Sequence, residues 1–368
     1  MRHSLRARLS SRRATLSVLT VCVLSVGGCG GTPLAASRAR PSASKTSTSV
    51  ERGPTDSAPA PAVAPHQVIG PVAGSLVALV SNTSGIYVLV SGHTGAGYQV
   101  LRVDPVSGRA LAEVDLPGNP EGSGSQLVIT GSTLWLAVPL AHGAELVALS
   151  ASDLRIEHRL LLPGATYATV AAAGSYLWVA AGGTLYQVST QGKITDRHTL
   201  QAPRSYLSVD ANPGGTELVA EVTLPHAYGS YLELLDPHTG RSLAPVPSTR
   251  VPGDNFGALA FSGPLAWSSQ GSLSLTYVGT DVRTGRQVTA PVNGNDATLT
   301  PNGTVAIVAS PENPTSDCVD VSTGQVTASF HAVGLRAAAA DGWVYYTHPS
   351  SPSGQHYQLE RERVRGCG

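Results

Sequence analysis

Beyond residue 65, hydrophobic and polar positions alternate with period two in short runs, broken by Gly, Pro, Asn and Asp. Such a pattern predicts half-buried strands and offers no amphipathic helix. The most regular runs are Ile86–Val90, Leu134–Val138, Leu177–Ala181, Leu218–Ala220, Leu265–Trp267, Val305–Val308 and Trp343–Tyr346, seven copies of one strand. A turn recurs after the strand that follows each of them, as Asp104-Pro105-Val106-Ser107-Gly108, Asp236-Pro237-His238-Thr239-Gly240, Asp281-Val282-Arg283-Thr284-Gly285 and Asp320-Val321-Ser322-Thr323-Gly324. In it the Asp side chain bonds the turn backbone and the Gly supplies a positive φ. The third copy keeps only Gln191-Gly192, and the second, with Ser152-Asp153, is degenerate.

Short strands repeating roughly every 40 residues are the signature of a β-propeller, in which each unit buries its apolar face only against its neighbours. The expected fold over residues 66–368 is all-β: a seven-bladed β-propeller of four-stranded blades. The last blade ends after a third strand, roughly Tyr357–Val364, which leaves an unpaired edge. Gln67-Val68-Ile69, followed by Gly70-Pro71 as a turn, reads as the missing fourth strand that closes the ring. Removing residues 66–71 is then expected to destabilise the whole domain. Val319–Val326 and Leu299–Val305 resemble the repeats of YVTN-type and quinoprotein-like propellers, although the tetrapeptide that names the first group is absent.

The N-terminus changes the picture from shape to location. Arg2, Arg6, Arg8, Arg12 and Arg13 precede a short apolar stretch, Ala14–Gly28, which is the layout of an export signal. The stretch ends in Val26-Gly27-Gly28-Cys29, which resembles the lipobox of bacterial lipoproteins. That resemblance implies cleavage after residue 28, lipidation of Cys29 and attachment to the outer side of the cytoplasmic membrane. Ser11-Arg12-Arg13 partly resembles a twin-arginine signal, so both export routes stay open. Residues 29–65, rich in Pro, Ala, Ser and Thr, cannot bury enough apolar surface to fold and read as a tether. Without residues 1–28 the net charge falls from zero to −5, which gives no electrostatic reason to seek nucleic acid.

Two cysteines remain in the propeller, Cys318 and Cys367. Outside the cytoplasm a leftover pair usually bonds. The strand register sets them toward different ends of their strands, which works against the bond, and on balance a Cys318–Cys367 disulfide is expected.

Candidate chemistry is sparse. The innermost strands, with Val77–Val80, Leu127–Ile129, Ala258–Ala260 and Ala337–Ala339, are small and apolar. All four Trp fall in second strands, where packing between blades is their expected role. Glu360-Arg361-Glu362-Arg363 reads as a solvated strand with paired charges. His93, His142, His226, His348 and His356 fall in or beside loops after second strands, and His331 in a loop after a fourth strand. Arg204, Arg250, Asp254 and Arg336 join them on that loop face. No two of these histidines show a metal-ligand spacing, so no metal or other cofactor is assigned. The leading expectation is a monomeric, membrane-anchored module that binds an envelope protein or a glycan through this face. The alternative, implied by the propeller resemblance, is an enzyme of lactonase, lyase or quinone-dependent dehydrogenase type.

Overall fold

The computed structural model describes residues 66–92, 97–118, 127–163, 168–223, 229–247, 249, 256–270, 276–293, 299–302, 305–310, 313–331, 337–350 and 356–367. Among the described residues twenty-eight strands form seven antiparallel sheets of four, here I to VII in chain order. After β1 (His66–Val72), sheet I holds β2 (Gly74–Asn82), β3 (Gly85–Gly92), β4 (Tyr98–Val103) and β5 (Ala110–Leu116). Sheet II holds β6 (Leu127–Thr130), β7 (Thr133–Leu140), β8 (Gly143–Ser150) and β9 (Ile156–Pro163). Sheet III holds β10 (Ala168–Ala173), β11 (Tyr176–Ala181), β12 (Thr184–Ser189) and β13 (Ile194–Thr199). Sheet IV holds β14 (Tyr206–Ala211), β15 (Leu218–Thr223), β16 (Ser230–Leu235) and β17 (Ser242–Pro245). Sheet V holds β18 (Phe256–Ser262), β19 (Leu265–Gln270), β20 (Thr276–Asp281) and β21 (Gln287–Asn293). Sheet VI holds β22 (Leu299–Asn302), β23 (Val305–Ser310), β24 (Asn313–Asp320) and β25 (Val326–His331). Sheet VII holds β26 (Ala337–Ala340), β27 (Trp343–Pro349) and β28 (Tyr357–Glu362), with β1 as its fourth strand.

The first strands of consecutive sheets touch from β2 through β26, and β26 also meets β2. The apolar core is correspondingly divided into layers, each shared by two sheets. Tyr87 and Leu89 of sheet I pack with Leu134 and Leu136 of sheet II, and Trp135 of II packs with Leu177 and Val179 of III. Ile86 and Val88 of sheet I pack with Ala338 and Tyr345 of sheet VII. Each sheet therefore needs both faces apolar, which is why second strands read as continuous hydrophobic runs.

β1 pairs with β28 from His66 opposite Glu362 to Val72 opposite Tyr357. The expected turn at Gly70-Pro71 does not exist. Both residues stay in the strand, after a register shift between Val68 and Gly70. An outermost strand tolerates Pro because its outward N–H has no ladder bond to lose.

One repeated device joins the sheets at the end where the Asp turns lie. In each turn the Asp carboxylate accepts from the N–H groups two and three residues on, as at Asp236 with His238 (2.9 Å) and Thr239 (2.8 Å). The Gly N–H closes the turn on the Asp carbonyl, at 2.9 Å for Gly108 and 2.8 Å for Gly324. Sheet II lacks that Gly. There Leu154 adopts φ 60° and donates to the Ser150 carbonyl at 2.8 Å, and its side chain is buried in the layer between sheets I and II.

A pair of facing residues near the start of the second strand and the end of the third reaches the next sheet's turn. Tyr87 and Arg102 face each other in sheet I, and they donate to the carbonyls of Ala151 (2.7 Å) and Ser152. Trp178 and Gln187 do the same in sheet III, to Pro237 (3.2 Å) and His238 (2.7 Å). In sheet VII the pair is Tyr345 and Arg361. Arg361 is fully buried, not solvated as its alternating neighbours suggest. Strand alternation turns it toward sheet I, where it donates to the carbonyls of Pro105 (2.8 Å) and Val106 (2.9 Å) and to Gln67 Oε1 of β1 (2.8 Å). Its guanidinium also lies 4.1 Å from the Trp343 ring centroid.

In sheet VI the same position, opposite Ile307, is Cys318. It is bonded to Cys367 in the turn that follows β28, with Cα atoms 5.4 Å apart. The two cysteines meet at the turn end of the sheets and not at different ends of their strands.

Candidate functional site

The residues selected from sequence do not converge among the described residues. His142 is exposed in the two-residue turn between β7 and β8. Arg204 is half-buried just before β14, and its N–H donates to the Gln201 carbonyl at 3.1 Å. His348 lies within β27 opposite Gln358, and its Nδ1 is buried without a hydrogen-bond partner among the described residues. His356 is exposed, and its carbonyl accepts from the Ser350 N–H at 2.7 Å. No hydrogen bond or ion pair joins any two of these four. His331 closes β25 opposite Thr315. Cys29, His93, His226, Arg250, Asp254 and Arg336 lie outside the described residues. Among the described residues no three His, Cys, Asp or Glu side chains stand together as metal ligands.

The structure brings together a different set, in sheet IV. Glu221 of β15 is buried, and its carboxylate accepts from Ser208 of β14 (3.0 Å) and from Ser230 of β16 (2.6 Å). Ser208 stands opposite Glu221, and Asp210, two residues further along β14, stands opposite Val219. Both carboxyls therefore share the face on which Val219 and Leu232 pack with Phe261 and Ala266 of sheet V.

Asp210 Oδ2 accepts from the Phe261 N–H of sheet V at 2.9 Å, and Oδ1 from the Ala211 N–H at 2.9 Å. Burial pushes its carboxyl up to about 7, and the two backbone donors only partly oppose that. A carboxyl poised there exchanges its proton near neutral pH, which is the property of a general acid or base. A third carboxyl, Glu233 on β16, is buried on the opposite face and accepts from Ser242 at 2.5 Å. Tyr206, at the start of β14, is pushed up to about 12, first by burial and then by the Glu233 charge.

The innermost strand of sheet IV, β14, thus differs from the small apolar innermost strands singled out in the sequence, and its signal was present. Tyr206-Leu207-Ser208-Val209-Asp210 alternates so that Ser208 and Asp210 share one face. Leu218-Val219-Ala220-Glu221-Val222 places one Glu inside an otherwise apolar second strand. A buried Glu needs partners, so its presence predicts donors on the adjoining strands. In sequence, the segment with His226 links β15 to β16, and the segment with Arg250 and Asp254 links β17 to β18.

No family model matches the chain, and no curated protein matches it. Solved structures do. Hydrazine synthase of Kuenenia stuttgartiensis is 11% identical with a TM-score of 0.60, over 81% of this chain and 97% of that one. BamB from Moraxella catarrhalis is 12% identical with a TM-score of 0.51, over 81% and 98%. Both are β-propeller proteins. The fold is a β-propeller. At these identities the likeness carries the architecture alone, and 1092 solved chains share a match of this kind, which argues against reading an activity from it.

Proposed function

We propose that the chain is an exported lipoprotein whose propeller acts as a binding module for an envelope protein or glycan. In this reading residues 1–28 are the signal, Cys29 carries the lipid and residues 29–65 are the tether on the outer side of the cytoplasmic membrane. The seven sheets are the blades of one ring, and β1 closes it by completing sheet VII. The observation that carries the proposal is the lipobox-like Val26-Gly27-Gly28-Cys29 behind an Arg-rich apolar segment, together with β1 as the fourth strand of sheet VII. A further support is how the buried and half-buried ionisable groups are used. Arg361 is held by backbone carbonyls, Asp210 by backbone N–H groups and Glu221 by hydroxyls, each across two or more strands, as befits a stiff scaffold that displays its loops.

Two measurements test the proposal. Radiolabelled palmitate is expected to enter the wild-type protein in cells and not Cys29→Ala, and label in that variant overturns the anchor. Photo-crosslinkers at His142 and His356 are expected to trap one discrete partner in the envelope, whereas a crosslinker at Val106 on the turn end traps none. The reverse pattern overturns binding through the loop face.

The enzyme reading has one specific observation in its favour, the Asp210 carboxyl near neutrality on the same face as Glu221. It requires hydrolytic or lyase turnover that is lost in Asp210→Asn while partner binding persists.

A further inference from the structure

The end of the domain that carries the turns differs from the rest in charge, and the tether joins it there. β28 runs toward its turn end at Glu362, which stands opposite both Val344, next to the Asp341–Gly342 turn, and His66, the first residue of β1. The tether therefore enters among the Asp turns, at the opposite end of the strands from the β7–β8 turn with His142.

The residue that follows the turn Gly, or Leu154 in its place, is basic in five sheets: Arg109, Arg155, Lys193, Arg241 and Arg286, all exposed. The fixed turn geometry sends each from the same point. Its carbonyl accepts the N–H of the residue that opens the turn: Arg109 accepts from Asp104 at 2.9 Å and Arg286 from Asp281 at 2.9 Å. The turn carboxylates point inward onto their own backbone. Hydrogen bonds from backbone N–H groups, first of all, hold Asp104, Asp236 and Asp281 below the usual carboxylate range. Of the described Arg and Lys residues only Arg159, Arg197 and Arg204 lie away from this end, whereas the described Asp and Glu residues divide about evenly between it and the remainder. Among the described residues the turn end is thus close to neutral with exposed cations, and the remainder is acidic.

We infer that the turn end is the face that rests on an anionic bilayer surface, so that the loop face points away from the membrane. The inference rests on the lipoprotein reading. A flexible tether of this length reaches roughly 30–36 Å, enough for the domain to meet the membrane by any side, so repulsion of the acidic remainder and the tether's point of entry select the orientation. The effect is electrostatic and weakens with salt.

The test uses the mature chain, residues 29–368, coupled through the Cys29 thiol to a maleimide lipid in vesicles. This makes it independent of lipidation in cells, which palmitate labelling decides separately. A donor dye is carried by azidophenylalanine in place of Val106, 83% exposed on a turn, or in place of His142, and acceptors sit on lipid headgroups. In phosphatidylglycerol vesicles at low salt, transfer from position 106 is expected to exceed that from position 142 at least twofold. The difference is expected to shrink in 1 M salt, in phosphatidylcholine vesicles and in the triple variant Arg109→Glu, Arg241→Glu, Arg286→Glu at unchanged melting temperature. Equal transfer from the two positions, or more from 142, overturns the inference. So does tight binding of a soluble polyanion such as heparin without orientation on vesicles, which makes an anionic polymer the partner instead.

Discussion

The junction between sheets VII and I and the junction between sheets IV and V solve one packing problem with opposite chemistry. At the first, the facing pair is Tyr345 and Arg361, and a fully buried guanidinium satisfies two turn carbonyls of the next sheet. At the second, the pair at the same register is Val219 and Leu234, and it packs with Val282 in the next turn. The junction between VI and VII replaces the contact with a covalent bond, Cys318–Cys367. What the position requires is contact with the next turn, and the repeat leaves the means free. The polar groups of the IV–V junction have moved inward along the sheet, to Asp210 and Glu221, where they bond the strands themselves.

Breaking the covalent junction is expected to have the largest effect. The cysteines are 49 residues apart, and a loop of that length implies a loss of about 4 kcal/mol on reduction in the chain-entropy account. Cys367→Ser compared with the wild type in urea, with and without reductant, checks it. A reductant-insensitive wild type breaks the equivalence of this junction with the others.

Arg361→Met comes next. It leaves the carbonyls of Pro105 and Val106 and the Gln67 amide without their donor, for an expected cost of about 3 kcal/mol. Arg361→Lys is expected to recover little, because an ammonium cannot span two carbonyls and Gln67 together. Full recovery by Lys would mean that charge, and not the planar fork, holds the junction.

The IV–V junction differs in being sensitive to pH. The Asp210 carboxyl is raised to about 7 in the fold against an ordinary value of 3.8, so the folded state prefers the proton. Its favourable contribution is fully present below pH 3.8 and is lost as pH rises through about 7. Asp210→Asn is therefore expected to be more stable than the wild type at pH 8, by ~2 kcal/mol after allowance for partial access of water, and to lose that advantage at pH 4. Melting curves at the two pH values decide it, and a pH-independent difference breaks the assignment.

The smallest effect sharpens the comparison within the turns. Leu154 holds a left-handed φ of 60° while its side chain is buried. Leu154→Ala loses the packing and keeps the strain, whereas Leu154→Gly loses the packing and relieves it. The Gly variant is expected to be the more stable of the two by about 1 kcal/mol, measured as the difference between their urea midpoints.

The strands were legible because their signal is local. Ile86–Val90 and Trp343–Tyr346 are strands in any context that buries both faces, and Asp104–Gly108 closes its turn with its own side chain and its own glycine. The polar cluster was only partly legible. Glu221 announced itself as a Glu among apolar residues, but its donors Ser208 and Ser230 sit on two other strands and look like ordinary strand serines.

The sequence alone determined the strand repeat, the turns, the lipobox-like segment and the acidic balance of the chain beyond residue 28, since each is written within a few neighbouring residues or in composition. Only the tertiary structure decided that Arg361 is buried, that Cys318 and Cys367 meet, that Asp210 lies against the Phe261 N–H and that His66, where β1 begins, lies at the end of the Asp turns. Those facts depend on which residues of one sheet face the turn of the next. That register is set by packing between segments up to 294 residues apart, as for Gln67 and Arg361, and no local pattern encodes it.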